Sequence, residues 1–220
     1  MRIGELAERT GVPAATIKFY LRERLLPPGV HGENNIVDYG PVHVHRLMLI
    51  RALSETAGLS VSQIGGVLTV LSRHPDSAFR AMGATLAVTH REPKFSLASE
   101  ESVERAERTV ERLLAAYDWA EVTPPMYREA LVTALAAYFR LGHPDLGDVL
   151  THWADAAAQL ASADIESIVE ATRDGDVDVE QAVVTTLLGE TVIGTLRRIA
   201  HIAAAARFQA GEGSSGTMGA

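Results

Sequence analysis

The chain has 220 residues, of which 47% are hydrophobic and 22% charged, with a formal net charge of -8 and no cysteine. This composition is ordinary for a globular protein, and the absence of cysteine excludes disulfides, metal–thiolate sites and cysteine nucleophiles. The start of the sequence lacks the apolar core of a signal peptide, and no run of about 18 apolar residues could span a membrane, so we expect a cytoplasmic protein.

The charge is distributed unevenly along the chain. Residues 1–74 contain 8 Lys and Arg against 6 Asp and Glu, whereas residues 75–220 contain 12 against 22. A mildly basic N-terminal segment followed by an acidic remainder is typical of a small DNA-binding module attached to a regulatory domain. Taken alone, this asymmetry does not decide the function.

Helical periodicity dominates the first 74 residues. It predicts helices over residues 3–9, 14–24, 41–58 and 61–74. Two prolines, Pro27 and Pro28, end the second helix, and the turn-rich segment that follows contains one β-like stretch at residues 36–39, which predicts a small hairpin. Ser60 and Gln63 have the spacing of a capping box at the start of the fourth helix. In outline this order is a winged helix-turn-helix.

The second helix has one face suited to nucleic acid. Ile17 and Leu21 fall on the side that must face a core, and the opposite side carries Ala15, Lys18, Phe19 and Arg22. The small residue allows close approach to a groove, and the two cations, one turn apart, can reach phosphates or a guanine edge. Thr16 and Tyr20 share an edge where hydroxyls can bond phosphate oxygens. The alternative is a solvated cationic face, which the helix-turn-helix context disfavours.

Several short motifs in residues 2–71 occur together in a fixed order and spacing. They are residues 3–7, 10–12, 16–20 and 25–28, followed by Tyr39, Arg46-Leu47, Ile50, the turn at residues 58–60, Ile64 and Leu68. This set resembles the opening of a MerR-type transcriptional regulator and covers about a third of the chain.

The resemblance implies a homodimer on double-stranded DNA at a pseudo-palindromic operator. Members of the family bend and untwist a long promoter spacer, and so affect RNA polymerase indirectly; some members repress. Carried over to this sequence, Thr16, Lys18 and Tyr20 match recognition-helix contacts, and Tyr39 and Arg46 match contacts to the DNA backbone.

Three positions depart from the family pattern. The wing, which usually reads Gly-Tyr-Arg-x-Tyr, is Asn-Ile-Val-Asp-Tyr at residues 35–39 and lacks the arginine. Pro13 replaces a capping serine, and Leu21 replaces a glutamate. His31 and Asn34 are the candidates for the missing wing contact. Because the wing has fewer cations, we expect weaker or less salt-dependent binding than in a typical member.

The rest of the chain also predicts helices. They cover residues 77–88, 100–118, 125–141, 144–161, 165–172 and 179–208. The helix over residues 100–118 is either a subunit-pairing helix or an ordinary amphipathic surface helix. The last helix is apolar on nearly every side, which places it inside a bundle or in a subunit interface.

The predicted fold is therefore all-α with one small β wing. We assign residues 1–74 to a winged helix-turn-helix DNA-binding domain and residues 75–209 to a helical dimerisation or effector domain. Residues 210–220, rich in Gly and Ser, are expected to form a disordered tail.

Scattered aromatic and cationic residues of the second domain are candidates for an effector pocket. They are Trp119, Tyr138, His152, Trp153 and Arg197. Aromatic side chains commonly form the walls of ligand pockets, and an arginine can bind an anion, although core packing is the alternative for each. Asp174 and the next acidic residues imitate a calcium loop but lack its required Gly and Glu, and His43 and His45 point to different sides of a helix. No metal or cofactor is expected.

The leading hypothesis is a dimeric, sequence-specific DNA-binding regulator, controlled by a small non-metal effector. One alternative is a protein that sequesters small molecules and controls mainly its own gene. Another is a regulator without a ligand. An enzyme has the least support, because no nucleotide-binding glycine loop, metalloprotease motif or nucleophile elbow occurs.

Overall fold

The computed structural model describes residues 1–31, 37–91, 99–143, 146–173 and 178–215. These residues form α-helices and one two-stranded antiparallel hairpin, which confirms the predicted all-α fold with a small β wing. The chain divides into two compact units, unit 1 with residues 1–89 and 171–220, and unit 2 with residues 90–170.

Unit 1 contains the predicted winged helix-turn-helix. Its elements are α1 (Ile3–Thr10), α2 (Ala14–Arg22), β1 (Val30–His31), β2 (Val37–Asp38), α3 (Pro41–Arg51), a π-helical turn (Ala52–Thr56), α4 (Val61–Arg73), α5 (Ala78–Thr89) and α9 (Val179–Ser215). Unit 2 contains α6 (Glu100–Ala116), α7 (Pro125–Arg140) and most of α8 (Asp148–Arg173).

The hairpin is short and its register is fixed by two pairs, Val30 with Asp38 and His31 with Val37. Gly29 precedes it at a point of close approach. A Cβ atom at Gly29 would lie 2.5 Å from a methyl group of Val37 and 2.8 Å from the carbonyl oxygen of Asp38. Only glycine fits there without a shift of the backbone.

Two cores hold unit 1 together. The first joins α1, α2 and α3 through Leu6, Ile17, Leu26 and Leu47, all at most 2% exposed. The second joins α3, α4, α5 and the start of α9, and it includes Ile50, Leu53, Ile64, Val67, Ala81, Val183 and Leu187. Because α5 and the first turns of α9 pack on α4, unit 1 extends beyond residue 74, the end of the DNA-binding domain expected from the sequence.

The capping box predicted for α4 is present. The side-chain hydroxyl of Ser60 accepts a hydrogen bond from the Gln63 amide, and the Gln63 side chain accepts one from the Ser60 amide at 3.1 Å. The Gln63 side chain also donates to the carbonyl of Thr89 at 2.9 Å, which ties the start of α4 to the end of α5. One side chain thus both caps α4 and connects two helices.

Unit 2 has its own core, where α6 and α7 meet through Ala106, Val110, Leu114, Leu135 and Phe139. The two helices predicted over residues 144–161 and 165–172 are wrong, because α8 is one helix from Asp148 to Arg173. Residues 162–164, taken as a break, are Ser-Ala-Asp, which contains neither glycine nor proline and can continue a helix at an exposed position.

The last helix is longer than predicted and ends at Ser215 instead of about residue 208, inside the segment expected to be a disordered tail. Among the described residues, no helix combines the length and the apolar composition that a membrane crossing needs.

Candidate nucleic-acid interface

The outward face of α2 is the feature that most resembles a nucleic-acid contact. Ile17 is completely buried in the first core, whereas Ala15, Lys18 and Arg22 are exposed and Phe19 is half-buried. The Lys18 ammonium makes no hydrogen bond or ion pair with any residue that the structure describes. A helix with one buried side and a free cation on the opposite side can enter a groove.

The turn before α2 sets the angle of this helix. α1 ends at Gly11, which adopts the left-handed conformation with φ of 67°. Val12 is buried, and Pro13 stands at the N-cap of α2 without a side-chain cap. The first amide groups of α2 therefore have no side-chain partner in the cap, which leaves them suited to a phosphate.

Arg22 is held loosely at the end of this face. Its guanidinium lies 5.4 Å from the centre of the Phe19 ring and its Nε lies 3.7 Å from a carboxylate oxygen of Glu23. The Arg22 side chain is 71% exposed, so both contacts are weak in water. The guanidinium can exchange them for a DNA phosphate at little cost.

Tyr20 and Thr16 lie differently from the open edge that the sequence suggests. Tyr20 is half-buried, and its ring packs against both cores of unit 1. Its carbonyl accepts from the amide of Leu25 at 2.9 Å. Thr16 is half-buried. Tyr20 therefore positions α2 on the two cores.

Arg46 borders an open groove with two more arginines. The groove, about 620 Å³ in volume, lies between the end of α2, α3 and α4 and is lined by Glu23, Arg24, Leu25, Pro27, Arg46, Gly65, Leu68, Thr69, Ser72 and Arg73. Arg46 is half-buried, and Arg24 and Arg73 are exposed.

Comparison with known proteins identifies this module. The MerR HTH family of regulatory proteins matches residues 1–70. In addition, the crystal structure of the candidate transcriptional regulator SCO5550 from Streptomyces coelicolor A3(2) aligns with a TM-score of 0.65 and 30% sequence identity, over 94% of this chain and 97% of that chain. The chain belongs to the MerR family. No protein with a curated functional description matches it.

In this MerR-family chain the wing residues divide between the core and the surface. His31 is exposed at the end of β1, and Asn34 lies outside the described residues. Tyr39, matched by resemblance to a DNA-backbone contact, is 8% exposed, and its ring meets the His43 ring edge-on at 5.1 Å. The Tyr39 amide donates to the Met1 carbonyl at 2.8 Å. The ring of Tyr39 thus belongs mainly to the first core.

The two histidines of α3 have separate structural partners. His43 accepts a hydrogen bond at Nδ1 from the Gly40 amide at 3.0 Å, so its Nε2 carries the proton and donates to the Pro28 carbonyl at 3.4 Å. His45 pairs instead with Glu180 at the start of α9. Among the described residues no three His, Asp or Glu side chains are grouped as metal ligands would be; residues 174–177 of the rejected calcium loop are not described.

Of the five residues predicted to line an effector pocket, four lie in unit 2 and one lies in unit 1. Trp119 and Tyr138 pack against the core of unit 2. His152 and Trp153 are exposed on α8, Trp153 by 44%. Arg197 is exposed on α9, which belongs to unit 1.

A different cleft lies beside these residues in unit 2. It has a volume of about 280 Å³ and is lined by Thr109, Arg112, Leu113, Ala116, Tyr117, Gly147, Leu150 and Thr151. The Tyr117 hydroxyl donates to Asp155, and this hydrogen bond, with partial desolvation, raises the pKa of Tyr117. The Trp119 ring stacks on Tyr117 at 4.8 Å. Sequence reasoning missed Tyr117 and Asp155 because 38 residues separate them.

Proposed function

We propose that this MerR-family protein is a homodimeric regulator that binds a pseudo-palindromic promoter operator through α2 and the wing. The observation that carries the proposal is the pairing of a fully buried Ile17 with an exposed, unpaired Lys18 on the next position of α2. SCO5550, which aligns over nearly the whole chain, is itself described as a candidate transcriptional regulator.

Each residue of the interface has its own proposed role. Lys18 and Arg22 contact phosphates or a guanine edge, and Ala15 allows the start of α2 to approach the groove. Phe19 contacts the groove wall beside them, while Thr16 and the Tyr20 hydroxyl contact the backbone. The remaining contacts, at the wing and α3, are His31, Asn34, Tyr39 and Arg46.

The second half of α9 supports the dimer. Beyond Leu187 the helix leaves the core, and Val192, Leu196 and Ile199 are 55%, 58% and 57% exposed. Their spacing of four and then three residues is that of a coiled-coil stripe. We propose a second copy of the same helix as the occupant, since an apolar stripe of one sequence is complementary to itself across a two-fold axis.

Burial of this stripe would stabilise a dimer. A fully buried Val, Leu or Ile contributes about 1.5–3 kcal/mol. Covering the exposed half of three such side chains on each of two copies therefore contributes roughly 5–9 kcal/mol, which is comparable to the cost of association. Ile202, 71% exposed beside the stripe, would add to it. The other candidate, α6, instead buries its apolar side in the core of unit 2.

Control by a small effector, with an indirect effect on RNA polymerase through promoter distortion, completes the proposal. The cleft beside Tyr117 is the better candidate for the effector than the five residues chosen from the sequence. Its volume of about 280 Å³ is near the lower end of ligand pockets, so it suits a small molecule.

The test is fluorescence anisotropy with the fragment upstream of the protein's own gene and with a scrambled fragment, at two salt concentrations. We expect a preference for the upstream fragment that persists at the higher salt concentration. Lys18→Ala should weaken that binding about 100-fold, or about tenfold for each of the two copies of the contact in the dimer, and leave the dimer intact. Arg80→Ala, on the exposed face of α5, is the matched control and should change neither.

Equal, weak and strongly salt-dependent binding to both fragments would contradict the operator proposal, because it is the behaviour of non-specific phosphate contacts alone. Loss of the dimer in Lys18→Ala would contradict the placement of Lys18 on the DNA face.

A further inference from the structure

The groove that Arg46 borders contains more positive charge than its surroundings neutralise. Three guanidinium groups line it, from Arg24, Arg46 and Arg73, against the single carboxylate of Glu23. That carboxylate already lies 3.7 Å from Arg22. Within the described part of the chain, no acidic side chain pairs with any of the three arginines.

The chemistry of the groove points to phosphate. Guanidinium groups bind phosphate oxygens through two parallel hydrogen bonds. The hydroxyls of Thr69 and Ser72 on the same wall already donate to carbonyls of their own helix, at 2.8 and 2.9 Å, so the arginines are the donors available to an anion. The groove is open and, at about 620 Å³, has room for a phosphate group.

The backbone at Arg24 adds an independent indication. α2 ends in a Schellman motif, in which the Leu25 amide donates to the Tyr20 carbonyl at 2.9 Å and the Arg24 amide donates to the Leu21 carbonyl at 3.2 Å. This motif places Arg24 in the left-handed conformation, with φ of 58°, where glycine is the favoured residue. Residues with a strained backbone cluster at functional sites, so the strain at Arg24 favours a functional role for its side chain.

We propose that Arg24 and Arg73, together with Arg46, form a phosphate-binding groove at the carboxyl end of α2. Arg24 lies two residues beyond the end of α2, so on an operator the groove takes phosphates of the DNA backbone next to the bases that α2 reads. A free phosphorylated molecule has the same chemistry and is the other source. The DNA form of this inference rests on the proposed function.

The experiment measures the salt dependence of binding to one DNA duplex. Each phosphate that a cation neutralises contributes about 0.9 to the slope of log K against log salt concentration. Because the proposed dimer carries each arginine twice, we expect Arg24→Gln and Arg73→Gln each to reduce that slope by about 1.8, and the double variant by about 3.6, without changing the preference for operator over scrambled DNA. Arg80→Gln removes an equal charge from α5 and should leave the slope unchanged.

A second experiment measures the binding of pyrophosphate to the DNA-free protein by isothermal titration calorimetry. Pyrophosphate binding that disappears in the double variant, with an unchanged DNA slope, supports the groove and assigns it to a free phosphorylated molecule. A reduced DNA slope supports the DNA backbone. Unchanged slopes together with no loss of pyrophosphate binding overturn the groove.

The two proposals fail separately. If the groove is wrong but the regulator proposal is right, Lys18→Ala still weakens operator binding while the arginine variants behave as the wild type. If the wild type does not bind DNA at all, the regulator proposal fails and the pyrophosphate arm alone decides the groove.

Discussion

The backbone conformation of Arg24 destabilises the fold, whereas its side chain serves the proposed phosphate-binding groove. Its left-handed backbone costs about 1–2 kcal/mol for a side chain with a Cβ atom, and glycine would remove that cost while adding about 0.4–1 kcal/mol of unfolded-state entropy. We therefore expect Arg24→Gly to stabilise the fold by roughly 0.5–1 kcal/mol and to raise the melting temperature by about 1–4 °C. Thermal unfolding followed by circular dichroism measures it.

The matched control for this change is Lys18→Gly, at an exposed position in the middle of α2. Glycine in a helix costs about 1 kcal/mol, so this variant should melt below the wild type. If Arg24→Gly also melted below the wild type, Arg24 would be making contacts in the folded protein that outweigh the strain of its backbone.

At the scale of single residues, the sequence predicted which way a side chain points better than it predicted which residues the side chain contacts. The 100° step of a helix placed Ile17 inward and Lys18 outward, as the structure has them. The same step could not show that the long ring of Tyr20 reaches back to both cores. Nor could it find the pair of Tyr117 and Asp155, because nothing local relates residues on two different helices.

Among the elements, the π-helical turn that follows α3 contains Glu55, which forms an ion pair with Arg51, the last residue of α3. Nε and Nη2 of Arg51 donate to the two carboxylate oxygens of Glu55, at 2.9 and 3.0 Å. Nη1 of Arg51 donates to the Thr10 carbonyl at the end of α1. These hydrogen bonds lower the pKa of Glu55 below its usual value. A carboxylate with a lowered pKa in the folded state stabilises the fold above its unfolded pKa, and this stabilisation is lost as the pH falls through the lowered value.

We therefore expect Glu55→Gln to lower the urea midpoint at neutral pH and to approach the wild type as the pH falls to about 2. The measurement is urea unfolding of both proteins along that pH series. Glu104→Gln is the control, since its exposed pair with Arg108 on α6, at 3.5 Å, should contribute little at any pH. A difference between Glu55→Gln and the wild type that stays constant down to about pH 2 would contradict the role of the Glu55 charge.

Element boundaries were predictable wherever a side chain or a proline marks them. Ser60 and Gln63 set the start of α4, and Pro41 and Pro125 stand at the first position of their helices. The interior of α8 has no such marker, and two helices were expected where one continuous helix exists. The π-helical turn at Ala52–Thr56 could likewise not be predicted, since its sequence, ALSET, is typical of an ordinary α-helix.

At the scale of the whole molecule, α9 changes how the chain is organised. The sequence showed that α9 is apolar on nearly every side, but it did not show which side packs against which element. In the structure Val183 and Leu187 complete the second core of unit 1, and Thr191 donates to the Thr56 carbonyl of the π-helical turn at 3.2 Å. The segment expected to belong to a separate effector domain is thus packed on the DNA-binding module, so a dimer formed by α9 would hold the two modules directly.

Two substitutions test that arrangement, Leu196→Asp and Ile199→Asp in one variant. Both side chains are more than half exposed, so the folded subunit should survive, while carboxylates in a paired apolar stripe should separate the subunits. His201→Asp, exposed on the same helix and away from the stripe, should leave the dimer intact. Analytical ultracentrifugation measures the mass, and circular dichroism checks the helix content.

The same variant connects the dimer to the operator. Two linked modules bind two half-sites with an advantage of about 10²–10⁴ over one module. We expect the double variant to bind a full operator at least about 100-fold more weakly than the wild type, and to bind a single half-site equally well, because Lys18 and the rest of the α2 face are unchanged. A double variant that remained dimeric would show that another surface joins the subunits, and α9 would then have its apolar stripe for a different partner.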